Sequence, residues 1–384
     1  MRIYLDHNAT TPVDPAVVEA MDDALRNCFG NPSSVHAYGQ TAKAALDDGR
    51  AAVADLVNGQ PSEILFTGSG TEADNLALRG LAAAVQPGTK NHLIATTIEH
   101  EAVLNTLKAL NRAGWTTSLL PVDETGTVDP VSLEQAITDK TALVSVMHAN
   151  NEIGTIQPIS ELATIAHQHG ALFHTDAVQT AGKHPIDVVA LGVDLLAISA
   201  HKFNGPKGVG ALWVRRGTRL VSEMTGGGQE KNRRAGTENV PAIVGLGVAA
   251  KLAKKNVAYQ TSATGKLRDA LEAEILSAVP NTFVNGSSNR VTNTTNISFT
   301  GVEAESLLIA LDLAGIAVST GSACSSGTLE PSHVLKAMGL STHRAQNSIR
   351  FSLGLNNTNA DIARTVQTLP TLVDKLRALS NTGS

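Results

Sequence analysis

The sequence predicts an α/β fold with a largely parallel central sheet, helices on both faces, and a smaller α+β domain. Two observations carry this. Short apolar runs of strand length alternate with longer stretches of helical spacing. The runs are mostly apolar, as strands buried on both faces are, and strands joined by helical crossovers run parallel. A third observation, the length of 384 residues, allows about two domains at roughly 150 residues each.

The strands expected in order are Glu63–Thr67, His92–Thr96, Ala142–His148, Ala171–Thr175, Leu195–Ser199 and Gly210–Val214. Helices are expected over Thr71–Leu81, Glu101–Ala113, Ile159–His169 and Val240–Lys254. Right-handed crossovers would place them on both faces. Helical character continues to about Ala278, with Lys254, Lys255 and several glycine or β-branched interruptions where a bend is expected. This stretch bridges to the second unit, where Asn293–Phe299 and Ser348–Ser352 read as strands and Ala360–Leu379 as a closing helix. The large domain is assigned to residues 15–255, and the small one to 1–14 with 256–384. Ser380–Ser384 is expected to fray.

Composition excludes several classes. Apolar residues make up 42 % and charged residues 17 %, and the net charge is −5 from 30 basic and 35 acidic side chains. No basic field favours nucleic acid or an anionic membrane. No segment is apolar enough to span a bilayer. The N-terminus lacks a signal core, and the two cysteines, Cys28 and Cys324, form no disulfide framework. The expected location is the cytoplasm.

In an open α/β sheet, ligands bind at the carboxyl ends of the strands, and the unusual polar residues here follow the predicted strands. Gly68-Ser-Gly-Thr-Glu72 follows the first and opens a helix. Backbone N–H groups at Gly70 and Thr71 suit a phosphate, although Thr71 could equally be an ordinary helix cap. His100 follows the second strand, as a ring-stacking and proton-shuttling group or a structural histidine. Asn151 follows the third, as a donor to a ring oxygen or a turn residue. Asp176 follows the fourth, ahead of Gln179. A carboxylate there needs a partner, either a pyridinium N–H or backbone amides.

Ser199, His201 and Lys202 follow the fifth strand. A lysine at the end of a core strand is poorly placed as a solvated ammonium. It is well placed to form an imine with the aldehyde of pyridoxal phosphate, for which Asp176 would keep the ring nitrogen protonated. Lys207 reads as a solvated charge. Arg350, in an apolar strand, needs an anion: a substrate carboxylate or an internal ion pair. Asn31, in Phe29-Gly-Asn-Pro32, could assist the carboxylate. Cys324 lies in a Ser/Gly-rich segment with nothing large enough to pack a core, so an exposed thiol is expected, reactive as its thiolate. Cys28, at a helix end, reads as packing.

Tyr4-Leu-Asp-His-Asn-Ala-Thr-Thr-Pro12, His174/Asp176 with Gln179, and Ser199-Ala-His-Lys202 resemble class V, fold-type I pyridoxal-phosphate enzymes. Over nearly the whole chain the similarity is to cysteine desulfurases of the NifS/IscS type, and Ser322-Ala-Cys-Ser-Ser-Gly is similar to their catalytic loop. The resemblance implies that Lys202 holds the cofactor, Asp176 its ring nitrogen, and that His100 stacks over the ring. It implies phosphate contacts from Gly70, Thr71, Ser199 and His201, and ring-oxygen contacts from Asn151 and Gln179. Thr237 would reach the phosphate of a neighbouring subunit, so a homodimer is expected. Removal of sulfur from L-cysteine is implied, giving L-alanine and a Cys324 persulfide that passes to an iron–sulfur scaffold or another acceptor. A transient metal contact at Cys324, through an iron–sulfur cluster, is implied in the same way. Arg234–Pro241 is closer to the NifS version, and the chain lacks a longer scaffold-docking tail after Leu379, which leans towards a NifS-like role. Two competitors stay open: an aminotransferase in which Cys324 is idle, and a sulfur carrier without cofactor chemistry.

Overall fold

The computed structural model describes residues 2–86, 88–321 and 331–381. Cys324 and its neighbours from 322 to 330 lie outside the described residues, as do 382–384.

The strands are β1 (Ile3–Tyr4), β2 (Ile64–Thr67), β3 (His92–Thr96), β4 (Thr116–Leu120), β5 (Thr141–Ser145), β6 (Leu172–Asp176), β7 (Leu195–Ser199), β8 (Gly210–Val214), β9 (Thr282–Asn285), β10 (Thr294–Phe299), β11 (Ile316–Ala317) and β12 (Ser348–Ser352). Seven of them form one sheet in the order β2-β8-β7-β6-β5-β3-β4. All adjacent pairs are parallel except those of β8, which opposes both β2 and β7. The fold is therefore α/β with a mostly parallel sheet, as expected.

Side chains alternate across the sheet. Ile64, Phe66, Phe173, Leu196, Ile198 and Trp213 point into one apolar cluster. Leu65, Leu93, Leu195, Leu212 and Val214 point into another, with residues of helices Gly70–Ala84 and Glu101–Arg112. Each strand except the edge strand β4 supplies both clusters, which is why its sequence reads as a largely apolar run.

A third cluster lies apart. It joins Ile3 and Leu5 to Leu271, Ile297, Phe299, Leu311, Phe351 and Val373. Around it stand a three-stranded antiparallel sheet, β12-β10-β9, and the parallel pair β1-β11. Val240–Ala278 is one helix of 39 residues; it needs no break at the expected bend. Its buried residues from Ala242 to Ala253 belong to the main cluster, and Leu271 and Ile275 to the third.

Other boundaries differ for local reasons. The predicted strand 142–148 is assigned as a ladder only to Ser145, yet the chain stays beside β6. The Val146 N–H donates to His174 O at 3.0 Å, and the His148 N–H to Asp176 O at 2.8 Å. Asp176 is the last residue of its strand rather than the first beyond it. The closing helix extends to Asn381, past the expected fray point. β4 escaped prediction because it is a half-exposed edge, Thr116-Thr-Ser-Leu-Leu120, without an apolar run.

Candidate active site

Asp176 and Lys202 meet because their strands are neighbours. Asp176 ends β6 opposite Ala197 of β7, and a short 3₁₀ turn, Ala200–Lys202, follows the end of β7. One Asp176 oxygen accepts from the Val178 N–H at 2.8 Å. The other meets no donor among the described residues and is not sealed from solvent. Burial pushes this carboxyl up, while the nearby His100, the Val178 amide and Lys202 pull it down. The Lys202 ammonium donates to the carbonyls of Asn8 at 2.6 Å and Ala9 at 3.0 Å. Burial first, then the Arg350 charge, lower its pKa to about 8.

The helix start after β2 is open for a phosphate. Ser69, not Thr71, is the cap: its Oγ accepts from the Glu72 N–H at 3.1 Å. This corrects the sequence reading that made Thr71 a possible cap. It leaves the Thr71 hydroxyl and the Gly70 and Thr71 amides without partners among the described residues, as the first turn of a helix does. A Cβ at Gly70 would stand 2.8 Å from Val178 Cγ2 and 3.2 Å from Ser199 Cβ. Glycine therefore lets this turn close against Ser199, whose hydroxyl makes no capping bond. His201 Nδ1 lies 3.0 Å from Thr10 Oγ1. Burial and the charges of Lys202, Lys207 and Lys183 lower His201 to about 4, so it is neutral.

His100 caps Glu101–Arg112, its Nδ1 accepting the Ala102 N–H at 3.1 Å. That bond commits Nδ1 and leaves Nε2 without a partner among the described residues. Asn151 uses its backbone oxygen for Asn8 Nδ2 at 3.1 Å and Arg350 Nη1 at 2.9 Å, which leaves its amide side chain without a partner among the described residues. Gln179 donates to Asn8 O at 3.1 Å and accepts from Lys183 Nζ at 3.3 Å. Arg350 makes the internal ion pair that the sequence left open, with Nη2 2.6 Å from Asp6 Oδ1. Its buried Nε has no acceptor among the described residues.

Two sequence-predicted residues stand elsewhere. Asn31 is exposed, and its Oδ1 accepts from the Ser33 N–H and Oγ, so the side chain holds its own turn. Thr237 is exposed and makes no hydrogen bond among the described residues. Lys207 is exposed, and Cys28 forms the C-cap of Pro15–Asn27. Among the described residues no group of three or more His, Cys, Asp or Glu could hold a metal.

Asn8 is the residue that sequence reasoning missed. Besides accepting from Lys202 and Gln179, it donates to Asn151 O and Thr294 Oγ1, and its Oδ1 accepts from Asn293 and Lys183. Its own N–H reaches Ser352 Oγ at 2.9 Å. The signal was a polar residue in the Tyr4–Pro12 motif, only 1 % exposed in the fold. Lys183, beside it, is lowered to about 7 by burial and by the charges of Lys202 and Arg350.

These residues fit pyridoxal phosphate. The carboxylate with a free oxygen, the lysine at the next strand end and the glycine-lined helix start match a ring nitrogen, an aldehyde and a phosphate. Together with the sheet topology they define a fold-type I pyridoxal-phosphate enzyme. The aminotransferase class-V model matches residues 3–365. The cysteine desulfurase IscS of Dictyoglomus turgidum is 48 % identical over 379 residues, 98 % of this chain and 96 % of that protein. Among solved structures, a NifS-like protein matches with a TM-score of 0.92 and 37 % identity, covering 98 % of this chain and 100 % of that one. SspA in complex with cysteine matches with a TM-score of 0.82 and 36 % identity, over 92 % and 99 %. The chain belongs to the class-V aminotransferase family and, within it, to the cysteine desulfurases of the NifS/IscS type. That family depends on pyridoxal phosphate.

Proposed function

We propose that this chain takes L-cysteine, releases L-alanine and retains the sulfur as a persulfide on Cys324. The observation that carries the reading is the pairing of Asp176 and Lys202 at adjacent strand ends, beside the open helix start at Gly70. Bound pyridoxal phosphate supplies an electron sink that acidifies the substrate α-proton. Lys202 would hold the cofactor and would be the base that takes that proton. With its pKa near 8, it lies close enough to neutrality to act as a base. Asp176 keeps the proton on the ring nitrogen. Gly70, Thr71, Ser199 and His201 hold the phosphate, and Asn151 and Gln179 orient the ring oxygen.

Arg350 binds the substrate carboxylate by exchanging it for Asp6, and offers the guanidinium N–H that now lacks an acceptor. The Cys324 thiolate attacks the substrate sulfur. An S–S bond forms, the C–S bond breaks, and the carbon left behind takes the proton that the Cys324 thiol gave up, passed on through His100. The net change moves one sulfur atom from L-cysteine to the Cys324 thiol. The persulfide then passes to an acceptor, an iron–sulfur scaffold being the one the family implies. Transient contact of Cys324 with that iron–sulfur cargo belongs to the same reading.

Two copies would share the work. Val18, Leu25, Phe29, Val35 and Tyr38 are exposed apolar residues on helices Pro15–Asn27 and Ala37–Leu56 and the turn joining them. Such a patch suits a partner surface. Asn31 sits in that turn, so in a homodimer its reach, like that of Thr237, is towards the second copy. No described helix is long and apolar enough to cross a membrane. Together with the thiol chemistry this supports a cytoplasmic enzyme.

Mass spectrometry after L-cysteine treatment tests the reaction. One sulfur added at Cys324, with L-alanine in solution, is the expected result. Cys324→Ala should still bind L-cysteine and release no sulfur. Undiminished alanine output from that variant would remove Cys324 from the reaction, and undiminished conversion of L-cysteine to its 2-oxo acid would favour an aminotransferase.

A further inference from the structure

Glu152 is fully buried and plays no part in the mechanism above. It belongs to the turn after β5, which Asn150 holds rigid: Asn150 Oδ1 accepts the N–H groups of Glu152 at 2.8 Å and Ile153 at 3.1 Å. The same turn supplies Asn151, and the Glu152 carbonyl accepts from Asn296 Nδ2 at 3.3 Å. The backbone of this residue is thus fixed on the small sheet as well as the large one.

Its side chain lies between two points that are far apart in sequence. Oε2 accepts from Ser332 Oγ at 2.5 Å. Ser332 in turn caps the helix His333–Ala337 through the amides of Val334 and Leu335. On the other side, the Glu152 side chain packs against Gly321. A Cβ there would lie 3.0 Å from Oε2, 3.2 Å from Cγ and 3.3 Å from Cβ of Glu152. Gly321 also has φ +89°, a conformation that favours glycine. Its N–H is held by Ser319 Oγ at 3.0 Å, and Ser319 exchanges backbone hydrogen bonds with Arg350. Gly321 and Ser332 flank the stretch of chain that contains Cys324.

Burial raises the Glu152 carboxyl, while Ser332, His333 and Arg350 lower it. Ser332 donates to it in either protonation state, so the contact does not depend on titration.

We propose that Glu152 is a positioning residue for sulfur transfer: wedged between Gly321 and Ser332, its side chain pins both roots of the Cys324-bearing segment to the turn that carries Asn151. This rests on Cys324 being the sulfur acceptor. A residue so placed acts on sulfur transfer to Cys324, not on L-cysteine binding or cofactor chemistry.

The test compares Glu152→Ala, Glu152→Gln, Ser332→Ala and the double alanine variant, all loaded with cofactor. Three readouts are taken: L-cysteine affinity from the cofactor's spectral change, the rate of sulfur addition to Cys324 by mass spectrometry, and amide exchange at Gly321 and Ser332 without substrate. Glu152→Ala should load sulfur about ten- to hundredfold more slowly, the range that small misplacements cost. Its L-cysteine affinity should stay within about twofold, the split expected when ground-state binding is untouched. Amide exchange should rise at both roots. Glu152→Gln, which still accepts from Ser332, should behave like the native protein. The double variant should be no slower than the slower single, because both remove one contact. Native sulfur loading in Glu152→Ala overturns the proposal, as does a parallel loss of L-cysteine binding or failure of the glutamine rescue. If the native protein itself never gains sulfur on Cys324, the proposed reaction fails instead, and amide exchange still reports on the clamp.

Discussion

The strand-end cluster and the crossing region between the large and small sheets are built differently. Asp176, Ser199 and Lys202 owe their places to two adjacent strands and the turn after one of them. Arg350, Asn8 and Glu152 are placed by hydrogen bonds between segments hundreds of residues apart, such as Arg350 to Asp6 and Asn8 to Thr294. The first cluster inherits its geometry from the sheet. The second exists only while two separately packed clusters stay in register. Substitution in the first should remove chemistry and spare the fold; in the second it should cost stability as well, with substrate binding weakened at Arg350 and kept at Glu152.

The largest effect expected is that of Lys202→Ala. Losing both the anchor and the base should cut alanine formation on the order of 10⁴-fold, with no covalent cofactor after borohydride reduction and a Tm close to native. A large fall in Tm would break the contrast. Arg350→Lys probes the other region. A lysine cannot reproduce the guanidinium fork, so the KM for L-cysteine should rise about tenfold or more, as for one charged hydrogen bond. Asp6 loses its geometry at the same time, so Tm should fall too. An unchanged KM would remove Arg350 from the site.

The smallest effect concerns Glu99, buried behind the strand ends. Its Oε1 accepts from Thr96 Oγ1 and the Met147 N–H, and its Oε2 has no partner among the described residues. Burial raises its pKa from 4.5 to about 8. The unfolded chain therefore releases this proton near 4.5 and the folded protein near 8, so stability falls as pH rises through that window. Glu99→Gln removes the loss, and its advantage over the native protein should grow by about 1.4 kcal/mol per pH unit between those limits at most. Denaturant titrations at several pH values measure it. A flat difference would mean that Glu99 is ionised in the fold.

Much of this was legible in the chain. The apolar runs revealed β3, β7 and β8 to the residue, because strands covered on both faces are mostly apolar along their length. The polar residues after those runs announced the strand-end cluster. The edge strand β4 and the short β1 and β11 were not legible, since edges need no apolar pattern and a two-residue strand has no period. Thr71 stayed open between cap and phosphate contact because Ser69 and Thr71 are both good caps by composition, and only the backbone of the turn decides which one caps.

The sequence by itself determined the sheet, its crossovers and the order of reactive groups along it, because burial and spacing are local properties of a chain. Tertiary structure alone decided that Asp6 meets Arg350, that Asn8 links Lys202 to the small sheet, and that Glu152 stands between Gly321 and Ser332. Those contacts join segments with no shared pattern, and they form only when two hydrophobic clusters pack against one long helix.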